Sequence, residues 1–142
     1  MTYIEMCKYV FREEGFSDWK RLRQSESRKA ELKTARQICM YLGDAYFNGI
    51  TLKQLAAPFG LDHATAIHSK KAITNRRDTE RAFDEKMKAY FHNLDQLFQE
   101  SIILTRITKE RELAAMLLAK IEDMKLIAKV YCVLSDKKMV DL

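Results

Sequence analysis

The chain has very little of the two residues that most often interrupt secondary structure. Its 142 residues include one proline and four glycines, and neither type occurs after Gly60. Strong helix formers such as Leu, Ala, Met, Lys, Glu and Arg are abundant. No long alternation of Val, Ile and Thr predicts a β-strand. Together these features predict an all-α fold.

Cysteines and long apolar runs are also scarce. Cys7, Cys39 and Cys132 lie far apart and match no zinc-binding spacing, so we expect neither a metal site nor a disulfide framework. No apolar run is long enough to cross a bilayer. Acidic residues interrupt the apolar amino terminus, which is not typical of a secretory signal. We therefore expect no membrane partner and a reducing, cytoplasmic location.

Recognisable catalytic motifs are missing. We find no GxxxxGK[ST] nucleotide-binding loop, no nucleophile elbow and no metal signature. The sequence therefore predicts no catalytic residues, no cofactor and no enzymatic activity. The net charge of +5 permits a nucleic-acid partner without requiring one.

The first half of the sequence predicts two helices joined by a basic linker. Residues 2–14 have the apolar spacing of a short amphipathic helix, which Gly15 ends. A polar, basic stretch follows, in which we expect Trp19 to pack in the core. A second helix is expected from about Thr34 to Phe47, with a buried face made by Ile38, Leu42, Ala45 and Tyr46.

Residues 51–77 have the pattern of a helix-turn-helix. Thr51 caps a short helix, Gly60 can adopt the left-handed conformation that ends it, and Asp62 caps a longer helix. In this motif the second helix lies in the DNA major groove, and its first turn contacts base edges. The core positions expected on this helix are Ala66, Ile67 and Ile73, and His68 is expected to be structural.

The residues after Thr79 predict long helices. Apolar residues recur at spacings of three and four over residues 83–97 and again over 113–131. The weak helix formers of "TRIT", residues 105–108, separate these runs. We therefore expect a long C-terminal helical hairpin, with one bent helix as the alternative. Such helices must pack on the amino-terminal part or on a second copy, which would make a homodimer through the C-terminal helices.

Several residues of the central segment occur in a familiar order. Arg36-Gln37, Phe59-Gly60, Asp62-His63, Thr65 and His68 resemble the carboxy-terminal DNA-binding domain of DnaA, the bacterial replication initiator. The resemblance covers about residues 28–77 and implies double-stranded DNA as the partner. Pro58, late in the first helix of the motif, departs from the pattern and should cost a backbone hydrogen bond.

The resemblance also implies roles for individual residues. The residues that would contact bases are Asp62, His63, Ala64 and Thr65. Ala64 replaces a threonine of the family and keeps a methyl group that could touch thymine. The residues that would contact the DNA backbone are Arg36, Gln37, Lys70 and Lys71. Arg28 would enter the minor groove.

The sequence thus predicts three parts. An N-terminal helix and basic linker occupy residues 1–27, a DnaA-like helix-turn-helix domain occupies 28–78, and a long helical extension occupies 79–142. The predicted function is sequence-specific binding of double-stranded DNA, in replication or transcriptional control, at the nucleoid of a bacterial cytoplasm. The alternative is a helical adaptor that binds proteins and reuses the helix-turn-helix as a scaffold.

Overall fold

Every regular element that the structure describes is helical. The computed structural model describes residues 1–24 and 29–140, with side chains through residue 135. Its α-helices are α1 Tyr3–Glu13, α2 Trp19–Leu22, α3 Ala30–Tyr46, α4 Leu52–Ala56, α5 His63–Thr79 and α6 Arg81–Val140. A 3-10 turn, Ala57–Phe59, follows α4. The predicted all-α fold is confirmed.

The chain contains two compact units. The first is Met1–Phe98, and the second begins at Gln99. The hydrophobic core lies in the first unit and includes the beginning of α6. The described side chains of the second unit are exposed or half-buried. The three-part division at residues 27/28 and 78/79 stays a prediction.

Helix α1 forms one side of the core. Thr2 and Glu5 cap it reciprocally, because each side chain accepts a hydrogen bond from the other residue's backbone N–H, at 3.2 and 3.1 Å. Its buried Phe11 ring contacts Trp19, with ring centroids 4.8 Å apart, and stacks on Phe59 at 6.1 Å. Trp19 therefore lies in the core, as predicted, and connects α1 to the turn that precedes α5.

Helix α3 begins four residues earlier than predicted and packs against α1, α4 and α5. Ile38 and Leu42 are buried as expected, but Ala45 is exposed, so its predicted burial is wrong. Near the C-terminal end of α3, Gly43 is buried instead. A Cβ at Gly43 would overlap the ring of Tyr3 and the side chain of Leu55. Glycine there allows α1 and α4 to approach α3 closely, which explains why Gly43 and not Ala45 is buried.

The first turns of α6 close the core of the first unit. Phe83, Met87, Tyr90 and Leu94 are buried at the predicted spacing of three and four. The carboxylate of Glu14, at the end of α1, accepts hydrogen bonds from Lys86 Nζ at 2.6 Å and from the Tyr90 hydroxyl at 2.7 Å. These contacts fix the beginning of α6 against α1.

The predicted hairpin turn near residues 105–108 is wrong. Helix α6 continues through this segment without a break in the described residues. The hydroxyls of Thr105 and Thr108 donate to the carbonyl oxygens of Ser101 and Leu104, each at 2.9 Å. Both threonines therefore satisfy their side-chain hydrogen bonds within the helix, and no glycine or proline is present to end it.

Candidate nucleic-acid interface

The turn between α4 and α5 is built from three local signals. Thr51 and Gln54 form a capping box that begins α4, with hydrogen bonds of 3.1 and 2.9 Å. Pro58 lies at the beginning of the 3-10 turn, where a missing backbone N–H is tolerated, so the predicted loss of a helical hydrogen bond is avoided. Gly60 has φ 66°, the left-handed conformation that glycine adopts without strain, and it turns the chain toward α5.

Asp62 caps the beginning of α5, as the sequence predicted. Its Oδ1 accepts from the backbone N–H of Thr65 at 2.9 Å and from the Thr65 hydroxyl at 2.8 Å. These two hydrogen bonds hold the pKa of the Asp62 carboxyl below its ordinary value, because they favour the charged form. Asp62 and Thr65 are therefore fixed relative to each other before any ligand binds.

The four residues predicted to contact bases lie together on the first turn of α5. Asp62 and His63 are exposed, and Ala64 and Thr65 are half-buried. Within the described residues of the first unit, this turn is therefore accessible to a ligand. The cap supplies a fixed carboxylate, and His63 adds an imidazole that can donate or accept a hydrogen bond.

The buried face of α5 differs from the prediction. Ala66, Ser69 and Ile73 are buried on the side that packs against α3 and α4. Ile67 is 36% exposed and His68 is exposed, so the expected core position and the expected structural role are both wrong. The buried residues follow a spacing of three and four from Ala66, which selects Ser69 and turns its neighbours toward solvent. Because Ser69 is polar, the apolar pattern of the sequence does not indicate that this position is buried.

Two of the residues predicted to contact the DNA backbone lie on α3. Arg36 and Gln37 are half-buried. The Arg36 guanidinium donates from Nη2 to the carbonyl oxygen of Leu22 at 2.9 Å, and burial lowers its pKa. Arg36 therefore holds the end of α2 in place, a structural contact that the sequence did not reveal.

The other two predicted backbone contacts lie on α5. Lys70 forms an ion pair with Asp44 of α3, with Nζ and Oδ2 2.9 Å apart and both side chains more than a third exposed. Lys71 is exposed. The carboxylate of Asp44 was missed from the sequence, because its pairing with Lys70 arises only when α3 packs on α5. Arg28, predicted to enter the minor groove, lies outside the described residues.

The arginines at the end of α5 have structural partners. Arg76 pairs with Glu80 at 3.1 Å and covers the ring of Phe83, with the guanidinium carbon 3.9 Å from the ring centroid. Arg77 donates to Asp84 at 2.7 Å and to the Tyr41 hydroxyl at 3.1 Å. Both arginines therefore stabilise the junction between α5 and α6.

No group of three or more His, Cys, Asp or Glu side chains that could hold a metal ion occurs among the described residues. The described helices also include none with the length and apolar character needed to cross a membrane.

Comparison with known proteins finds a similarity in the segment that includes the turn between α4 and α5. Residues 20–73 match the family described as the bacterial dnaA protein helix-turn-helix. A 57-residue segment is 44% identical to the chromosomal replication initiator protein DnaA of Desulfotalea psychrophila, which is 39% of this chain and 12% of that protein. The chain thus spans only about an eighth of the length of this relative. The resemblance predicted from the sequence is confirmed: the segment that carries α3, α4 and the first two-thirds of α5 is similar to the helix-turn-helix of bacterial DnaA.

Proposed function

We propose that this protein binds double-stranded DNA by placing the first turn of α5 in the major groove. The observation that carries the proposal is the exposed, capped turn at Asp62 and His63, within a segment similar to the DnaA helix-turn-helix. In a helix-turn-helix the amino-terminal residues of the second helix contact base edges. No other described helix of the first unit combines such a turn with this similarity.

Each residue of the turn offers a different contact to a base edge. Asp62 uses Oδ1 in the cap, and its second oxygen can accept from the amino group of cytosine. His63 can donate to guanine or accept from adenine. Ala64 offers a methyl group to the methyl of thymine. Thr65 donates its proton to Asp62, so its hydroxyl oxygen would act as an acceptor.

Contacts to phosphate would set the orientation of the helix on the duplex. We assign these to Arg36, Gln37, Lys70 and Lys71, with Arg28 in the minor groove. Lys70 must exchange its ion pair with Asp44 for a phosphate. Each phosphate that a cationic side chain neutralises releases counterions from the DNA, so log affinity falls with log salt concentration with a slope of about −0.9 per phosphate.

The similarity to a protein named as a chromosomal replication initiator supports a proposal for the process served. We propose a role in replication or in transcriptional control, at the nucleoid of a bacterial cytoplasm. In this proposal residues 28–78 are the reading domain, residues 1–27 brace and extend it, and residues 79–142 serve association. Two copies joined through the C-terminal helix would contact two half-sites.

The experiment that tests DNA binding is selection of bound duplexes from a random pool, followed by fluorescence anisotropy of a selected duplex over a salt titration. We expect an enriched sequence and a steep loss of affinity with salt. Lys71→Ala should make the salt slope less steep by about one, whereas the matched control Lys8→Ala on α1 should not. Absence of binding at low salt would refute the proposal, and binding without enrichment would restrict it to a nonspecific electrostatic role.

The second candidate function is a protein-binding adaptor. It is favoured by the large apolar side chains that the second unit exposes, such as Leu113 and Met124, at 57% and 69%. An adaptor would bind its partner through this surface and would show no affinity for the selected duplexes. The two functions are therefore separated by the same anisotropy measurement.

A further inference from the structure

The second unit exposes an unusually large number of large apolar side chains to solvent. Examples are Ile102, Leu113, Leu118, Ile127, Val133 and Leu134, each of which is more than half exposed. Large exposed apolar surfaces mark sites that bind another protein or a membrane. Charges of both signs are interleaved with these residues, from Arg106 and Glu110 to Glu122 and Lys129. This mixture does not favour a polyanion or an acidic lipid surface, and it is typical of helices that pair with other helices.

One stripe of this surface has the spacing of a coiled-coil seam. We define the seam as Ala114, Leu117, Ile121, Met124, Ala128 and Tyr131, which alternate steps of three and four residues. This alternation keeps the six side chains on one face of a helix that pairs with another helix. The described members with large side chains are 48–71% exposed.

We propose that two copies of this chain pair through their seams in antiparallel orientation. In this register Ala114 lies opposite Tyr131 of the second copy, Leu117 lies opposite Ala128, and Ile121 lies opposite Met124. This inference specifies the self-association included in the proposed function, and it does not depend on DNA binding.

Packing favours the antiparallel orientation. In a parallel pair in register, each seam residue would meet its own copy, so Ala114 and Ala128 would each form a layer of two small side chains. The Ala128 layer would leave a void beside a crowded layer of two Tyr131 rings, and the Ala114 layer would leave another at the opposite end of the seam. The antiparallel register places each alanine opposite a large side chain, which fills the seam evenly.

Charge favours the same orientation. Lys120 and Lys125 flank the seam and are the only lysines between residues 113 and 128. In a parallel pair Lys120 of one copy would face Lys125 of the other on both sides of the seam, and the like charges would repel. In the antiparallel register Lys120 lies beside Ile127 of the second copy, and Lys125 lies beside Leu118. Their hydrocarbon stems would then cover apolar side chains while the ammonium groups reach water.

The first test measures the mass of the full chain in solution by light scattering at micromolar concentration. We expect a dimer, or a multiple of dimers, of the 16.7 kDa chain. Ile121→Glu, in the seam, should convert it to a monomer. The matched control Leu126→Glu lies on the same helix, outside the seam, and should leave the mass unchanged. A monomeric wild-type chain, or equal effects of both substitutions, would overturn the proposal.

The second test measures orientation with the exposed thiol of Cys132. Cys7 and Cys39 are buried and should not react with a short bismaleimide. In the antiparallel register two Cys132 residues lie about 30 Å apart along the axis, so the wild-type chain should not cross-link. Arg111→Cys places a second thiol beside Cys132 of the other copy, and this variant should cross-link efficiently. Adding Cys132→Ser to that variant should abolish the product.

The outcomes separate this proposal from the DNA-binding proposal. Efficient cross-linking of the wild-type chain through Cys132 would indicate a parallel pair and refute the antiparallel register. Monomeric wild-type protein that reaches dimer mass only with added vesicles or another protein would refute self-association. Neither result bears on duplex binding, which is measured with the Lys71→Ala and Lys8→Ala variants.

Discussion

Replacing His63 with alanine tests base reading with little effect on the fold. His63 is exposed on the first turn of α5 and is not part of the core, so we expect the free energy of unfolding to change by no more than about 0.5 kcal/mol. A lost contact to a base edge costs about 1–3 kcal/mol of discrimination, or roughly 5- to 150-fold in relative affinity. This loss should appear only at the base pair that His63 contacts.

The assay compares the wild-type chain and His63→Ala on a selected duplex and on a set of duplexes with one base pair changed in each. Wild type should discriminate at several positions, and the variant should lose discrimination at one or two of them. His68→Ala is the matched control, because His68 is also exposed on α5 but lies beyond the first turn of that helix, residues 62–65, which we call the reading turn because of its proposed function. If His63→Ala lowers the affinity for all duplexes alike, or leaves discrimination intact, His63 does not face a base and the placement of α5 is wrong.

Three further predictions concern the helices that support the reading turn. Asp44→Asn releases Lys70 from an ion pair between partly exposed groups worth at most about 1 kcal/mol, so DNA affinity measured by anisotropy should rise about two- to fivefold at low salt. Unchanged affinity would place Lys70 away from phosphate. Gly43→Ala introduces a methyl group into the contact with α1 and α4, so the free energy of unfolding measured by urea titration should fall by about 1–3 kcal/mol. An unchanged free energy of unfolding would mean that the helices can move apart at no cost. The hydrogen bond from Arg77 lowers the pKa of Asp84 in the folded protein. The pair therefore stabilises the fold at pH values above the ordinary Asp pKa of about 4, and this contribution is lost as the pH falls through the lowered pKa of the folded state. The difference in unfolding free energy between wild type and Asp84→Asn should therefore be constant above about pH 5 and shrink as the pH falls through the lowered folded pKa of Asp84. A difference that persists in strong acid would mean that charge is not its source.

The reading turn was predictable because its signals are local. Gly60 supplies the left-handed residue and Asp62 supplies the cap, and both were identified from their own chemistry and from the residues that follow. The resemblance to DnaA added the order Asp62, His63, Ala64, Thr65, and the structure places these residues on one accessible turn. Their contacts with bases remain a prediction.

Features that depend on packing between distant segments were not predictable in the same way. The ion pair of Lys70 joins residues from two helices, and no local pattern marks Asp44 as its partner. Ser69 is buried where Ile67 was expected, because the position on the helix, and not hydrophobicity, decides which side chain meets α3 and α4. The continuity of α6 through Thr105 and Thr108 was missed because propensity favours a break there, whereas their side-chain hydrogen bonds are satisfied within the helix.

The cations of α5 differ in their structural partners, and this difference bears on how the protein would bind DNA. Arg76 and Arg77, in the last turns, are committed to Glu80, Asp84 and aromatic rings of the first unit. Among the described residues of α5, this leaves Lys70 and Lys71 for phosphate, and Lys70 must first leave Asp44. The α5 helix of a single copy would therefore neutralise few phosphates, and affinity rises with each phosphate neutralised. Pairing through α6 would join two reading turns in one molecule, so that binding of the second becomes intramolecular. Pairing through the apolar surface of the second unit would then add to the affinity that each copy has for DNA by itself.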